Sequence, residues 1–184
     1  DMQHGTIDFA AAATAIPLVA AAGRPTVPRI PVGAFGTASR LLDMGAAGII
    51  APMVNTVEDA HAFAEHVKYP PVGGRSWGPH PALSLTGLQP PAYFATANDF
   101  VLSFAMIETR EALGRIDDIL AVPGIDAIFI GPSDLSIGLS GGARLDPGGA
   151  ETNAAIDHAA ARARAAGKLA GIYAPDGAQA GDFA

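Results

Sequence analysis

Two carboxylates stand where apolar runs end. Phe104-Ala105-Met106-Ile107 leads directly into Glu108, and Ile128-Phe129-Ile130-Gly131-Pro132-Ser133 leads into Asp134. Taken singly, Glu108 reads as an acid at a helix N-terminus and Asp134 as an N-cap or turn aspartate. The pair reads differently: neighbouring parallel strands lie about 4.8 Å apart, so acids at equivalent strand ends converge on one cation. Two hard oxygen ligands with water completing the shell suit Mg2+ or Mn2+.

Other residues supply complementary chemistry. Arg29 stands inside Val27-Pro28-Arg29-Ile30-Pro31, where the flanking prolines fix the backbone and the guanidinium is offered to an anionic ligand. Asp1 and His4 place a carboxylate and an imidazole three residues apart. The remaining histidines carry less. His61 and His66 are five apart, which misses the i, i+4 spacing of a helical zinc pair, and His80 lies beside Trp77 in a proline-rich stretch, where it lines or caps a pocket. No G-x-S-x-G nucleophile turn, G-x-G-x-x-G or P-loop occurs, and neither Lys68 nor Lys168 stands at the C-terminal end of a strand, where a Schiff-base lysine belongs.

The elements that must position these groups alternate. Nearly continuous apolar runs at Thr26–Ile30, Gly48–Met53, Phe100–Ile107, Ala127–Ile130 and Leu169–Tyr173 read as strands covered on both faces. Helical patterns lie between them: Thr37–Met44 before Gly45, a segment opened by Thr56-Val57-Glu58-Asp59, Thr109–Leu120, and Asn153–Ala166 before Gly167. Phe9–Gly23 reads as a buried alanine-rich helix, too short to span a membrane. Lys68–Pro91, with six prolines and four glycines, reads as one long irregular and functional connection. Repeated right-handed βα units leave a doubly wound sheet or a (β/α)8 TIM barrel, and polar residues just past several strand ends favour the barrel.

Composition removes other classes. The chain of 184 residues is 49% hydrophobic and 16% charged, a folded composition with one domain over 1–184 as the natural count. Its 18 acidic against 11 basic residues, net charge −7, disfavour a nucleic-acid partner. With no cysteine, disulfides, thiolate metal sites and thiol nucleophiles are excluded. No signal or membrane segment is evident, so a cytoplasmic protein is the expectation.

An ordered set of segments then carries a resemblance. Asp1-Met2-Gln3-His4-Gly5, Pro28-Arg29, Leu42-Asp43-Met44-Gly45-Ala46, Pro52-Met53-Val54-Asn55-Thr56, Tyr69-Pro70-Pro71, Met106-Ile107-Glu108-Thr109 and Gly131-Pro132-Ser133-Asp134-Leu135-Ser136 resemble the HpcH/HpaI aldolase family over nearly the whole chain. The resemblance implies a (β/α)8 barrel that forms homo-oligomers, commonly hexamers, and a divalent cation, Mg2+, Mn2+ or Co2+, at the strand C-termini. It implies Glu108 and Asp134 as metal ligands, His4 as a base oriented by Asp1, Arg29 as the group that stabilises an enolate, and Asp43 as a structural residue. Two departures, Gln3 where glutamate is frequent and Met106 where some members have glutamine, bear on substrate specificity.

The implied reaction is aldol cleavage of a 4-hydroxy-2-oxo acid to pyruvate and an aldehyde, with backbone amides around Ser133 and Asp134 on the substrate carboxylate. Arg75 and Trp77 of the proline-rich stretch are expected to border the aldehyde end. Sugar-acid aldolases of the 2-dehydro-3-deoxyglucarate type and macrophomate-synthase-like decarboxylases share the scaffold. A non-catalytic binding or assembly subunit is the alternative from another class. The barrel needs about 250 residues, so the chain is expected to be a partial barrel lacking its first and last strands, with Asp1 at the end of the second.

Overall fold

The computed structural model describes residues 1–175 and 177–182. Helices separate every pair of strands, as the pattern requires: α1 (Phe9–Ala21), α2 (Phe35–Asp43), β1 (Gly48–Ala51), α3 (Val57–Val67), α4 (His80–Thr86), α5 (Pro90–Phe100), β2 (Leu102–Ile107), α6 (Arg110–Gly114), α7 (Ile116–Ala121), β3 (Ala127–Ile130), α8 (Pro132–Leu139), α9 (Ala150–Ala165), β4 (Leu169–Ile172) and α10 (Gly177–Asp182). The four strands form one parallel sheet in sequence order, an open arc of barrel-type βα units. Register is unbroken, with Ala51 opposite Ala105, Ile107 opposite Ile130, and Ile130 opposite Ile172. Every strand therefore ends at the same edge of the sheet.

Thr26–Ile30 extends the sheet beyond β1 with a single bridge, Arg29 to Ile50, rather than a full strand. Pro28 and Pro31 have no N–H for the ladder, so pairing runs through the Ile30 amide on the Ile50 carbonyl (3.0 Å) and the Ile50 amide on the Pro28 carbonyl (2.9 Å). One step further out, the Met2 amide donates to the Arg29 carbonyl at 2.9 Å, which lays residues 1–3 alongside Arg29.

The core sits between the sheet and its outer helices. Ile49, Ala51, Ala105, Ile107 and Ile128 are fully buried against Leu41 and Leu42 of α2, Phe63 of α3, Ile119 of α7 and Ala159 of α9. The α3 start is over-determined: the Thr56 hydroxyl accepts from the Asp59 amide while the Asp59 carboxylate accepts from the Thr56 amide. At the N-terminal edge of the sheet, buried Lys68 donates to the Asn98 and Val101 carbonyls and pairs with Asp126 at 2.7 Å, tying the end of α3 to the entries of β2 and β3.

Three further expectations change. Lys68–Pro91 is not structureless: α4 begins at His80 and α5 at Pro90, because proline in the first turn gives up an N–H that no helix uses there. Thr109–Leu120 is two helices, broken at Arg115, whose ψ of 13° leaves the helical region. Helix α1 buries only Ala12 and Ile16 and leaves Leu18 67% exposed, so apolar composition alone did not make it a core helix.

Candidate active site

The common strand edge opens onto a cavity of about 320 Å³. Asp1, His4 and Arg29 line one side, and Met106, Glu108, Asp134 and Tyr173 the others. Gly131, Pro132 and Ser133 complete the wall at the start of α8. Residues far apart in the chain meet here because β2, β3 and β4 end level and the Arg29 segment pairs with β1.

Glu108 is the anchor. It follows the last residue of β2 and is 1% exposed. Its Oε1 accepts the Met53 amide at 2.7 Å, while Oε2 is buried with no hydrogen-bond partner among the described residues. Burial raises the carboxyl above its usual range and the nearby Asp134 charge adds to this; the Met53 amide, Arg29 and His4 pull the other way. Asp134, exposed in the first turn of α8, faces the same cavity. Gly131 makes room for the pair: a Cβ there would fall 2.7 Å from Glu108 Oε2 and 3.1 Å from the Met106 methyl.

This donor set fits a hard divalent ion. A buried carboxylate oxygen without a partner, beside a second carboxylate in a cavity, is costly unless a cation joins it. Among the described residues no group of three or more histidine, cysteine or acidic side chains is placed to hold one metal ion, so the protein would supply two ligands and leave the other positions to water or substrate.

Arg29 and Asp1 form a two-pronged pair: the Arg29 Nε donates to Asp1 Oδ1 at 2.9 Å, and Nη2 bonds Oδ2. Asp1 Oδ1 also accepts the Gln3 and His4 amides, at 2.9 and 3.4 Å. Asp1 thus fixes the His4 backbone and the Arg29 guanidinium, and among the described residues it forms no bond to the His4 imidazole. The expectation that Asp1 orients the ring is corrected to that extent. Ser133 lies in the first turn of α8, where backbone amides lack intrahelical acceptors.

Arg75, Trp77 and Asp43 lie elsewhere. Arg75 is buried against Asp43 (2.8 Å) at the C-terminal end of α2, with its guanidinium over the Tyr69 ring. Trp77 packs with Tyr69 and with Tyr93 and Phe94 of α5. These contacts belong to the entry side of the sheet, next to the Lys68 lock, because the α3–β2 connection returns the chain to the strand N-termini. Within this chain neither Arg75 nor Trp77 borders the cavity, and Asp43 is the partner of Arg75.

Sequence reading missed three contributors. The Met53 amide and the Gly131 clearance are backbone features with no side-chain signature. Tyr173 had a signal, its place one residue past β4.

A model of the HpcH/HpaI aldolase/citrate lyase family matches residues 1–182. The chain belongs to this family. It is 44% identical to a hydroxypyruvate/pyruvate aldolase of Rhizorhabdus wittichii over 96% of its own length and 69% of the relative's. It is 40% identical to a 2-keto-3-deoxy-L-rhamnonate aldolase of Klebsiella pneumoniae, over 77% of this chain and 52% of that protein. The crystal structure of an HpcH/HpaI aldolase from Desulfitobacterium hafniense superimposes with a TM-score of 0.88 at 29% identity, covering all of this chain and 70% of the other. The fold is thus that of the family's TIM-barrel aldolases, and the named relatives are carbon–carbon lyases.

Proposed function

We propose that this site is that of a divalent-metal-dependent pyruvate aldolase, which splits a 4-hydroxy-2-oxo acid into pyruvate and an aldehyde or runs the reverse addition. The observation that carries the reading is the buried, unpartnered Glu108 Oε2 facing the same cavity as Asp134. Glu108 and Asp134 would hold Mg2+, Mn2+ or Co2+. When bound, the ion would act as a Lewis acid toward the 2-oxo acid group.

The chain's own residues do the rest. First-turn amides of Ser133 and Asp134 bind the substrate carboxylate. His4 accepts the proton of the 4-hydroxyl, directly or through water, as the C3–C4 bond breaks and the aldehyde leaves. The electron pair is retained on the pyruvate fragment as an enolate, whose oxygen Arg29 stabilises from the position that Asp1 sets. A proton delivered to C3 completes pyruvate. The rhamnonate-aldolase relative supports including sugar-derived oxo acids in the substrate class. We further propose a cytoplasmic homo-oligomer, a hexamer on the family pattern; among the described residues no helix is long and apolar enough to cross a membrane.

Pyruvate release from a panel of 4-hydroxy-2-oxo acids, before and after chelation and after return of Mg2+, Mn2+ or Co2+, tests this. Release should vanish on chelation and return with metal. Release that survives thorough chelation, or none with any panel member in metal-replete protein, overturns it.

A further inference from the structure

Among the described residues, Met53 is the one non-glycine residue with positive φ, at 56°. Methionine gains nothing intrinsic from the left-handed region, which its Cβ disfavours, so the surrounding structure holds it there. Side-chain packing does not account for it, since Met53 is 36% exposed and does not line the cavity. What the conformation delivers is the direction of the amide relative to the chain that follows: with that chain anchored at Val54 and Asn55, a φ of 56° leaves the Met53 N–H, one residue past Pro52 at the end of β1, pointing across to β2, where it donates to Glu108 Oε1 at 2.7 Å. That bond occupies one carboxylate oxygen and leaves the other, buried and unpartnered, toward Asp134. The neighbours brace the turn: Val54 is fully buried, and the Asn55 amide and side chain are taken by Asp59 and by the Thr109 hydroxyl.

We infer that Met53 is a positioning residue, whose left-handed backbone aims an amide at Glu108 and so presets the free oxygen for a divalent ion. This rests on the proposed role of Glu108 as a metal ligand. The property that matters is tolerance of positive φ, not the thioether. Residues that accept the conformation, glycine and asparagine, should preserve the function, whereas β-branched residues should rotate the amide away.

Mn2+ alone is titrated into the full chain and free Mn2+ is read by electron paramagnetic resonance, with urea unfolding of each variant run in parallel. Met53→Gly and Met53→Asn are expected to bind within about twofold of the unsubstituted chain. Met53→Ile, with Met53→Val as the smaller variant should isoleucine impair folding, is expected to weaken binding about tenfold or more, in the range of lost outer-sphere contacts to metal ligands. Glu108→Ala separates the two levels of the argument. If it leaves Mn2+ binding unchanged, the ligand assignment fails. If it abolishes binding while folded Met53→Ile or Met53→Val binds normally, or if Met53→Gly loses affinity as much as they do, the positioning role is overturned.

Discussion

Gly131→Ala tests the geometry of the cavity with one methyl group. The backbone permits it, because Gly131 has φ −103°, a value any L-residue adopts. Space does not. The new Cβ would lie 2.7 Å from Glu108 Oε2, about 0.7 Å short of the 3.4 Å at which ordinary contact begins, and also within 3.2 Å of Glu108 Cβ. Glu108 cannot simply swing aside, since Oε1 is tethered to the Met53 amide. The displacement falls on the free oxygen. Misplacing a reacting group by about 1 Å costs on the order of 100-fold, so kcat/KM for pyruvate release should fall by about that factor, equivalent to about 2.7 kcal/mol of barrier. Stability should fall by about 1–3 kcal/mol from overpacking, without loss of fold. Coupled pyruvate detection with urea unfolding on the same preparation separates the two effects. A folded variant with kcat/KM within threefold of the parent, or a loss that only tracks its unfolded fraction, refutes the claim that Gly131 makes room for a working carboxylate.

Two further tests address charge. Burial, seconded by Asp134, raises the folded Glu108 pKa, so its contribution to stability is present below the unfolded carboxylate range and is lost as pH rises through the folded value. In chelator, Glu108→Gln should therefore gain stability relative to the parent as pH is raised from 4 to 8, and the parent alone should be stabilised by Mn2+; a pH-independent difference in urea unfolding would sink the reasoning. Lys68→Met removes a buried ammonium from two carbonyls and Asp126; because Asp126 remains 28% exposed and keeps its bond from the Ser103 amide, the cost should be about 2–3 kcal/mol rather than the upper range for buried pairs, and a loss under about 1 kcal/mol would show that the lock contributes little.

Legibility followed physical cause. Continuous apolar runs revealed β1, β2 and β3 because these strands are largely covered, and β4 although its first half is exposed; the acids just past β2 and β3 were readable because register brings strand ends level. Proline misled twice in opposite ways. In Lys68–Pro91 it marked helix starts rather than irregular chain, and in Pro28–Pro31 it reduced an expected strand to one bridge. Residue type placed Arg75 and Trp77 near the site, whereas the connection that carries them returns to the opposite edge of the sheet. Side-chain chemistry is written in the sequence, but the direction of an amide at Met53 is not.

On the proposed reading, the charges around the Asp1–Arg29 pair predict that metal and substrate bind interdependently. The cavity wall holds three carboxylates, Asp1, Glu108 and Asp134, against one permanently charged cation, Arg29, which Asp1 already engages through two of its nitrogens. His4 adds a positive charge only when protonated. An oxo-acid anion approaching this cavity alone meets excess negative charge in a partly desolvated space, where such repulsion is poorly screened. On the proposed reading, a divalent cation held by Glu108 and Asp134 would offset this excess negative charge where the carboxylate must bind. Arg29, held by Asp1, would then respond to charge that develops on the substrate. The carboxylates that by themselves make the cavity electrostatically unfavourable for substrate are those that would make it favourable for the ion.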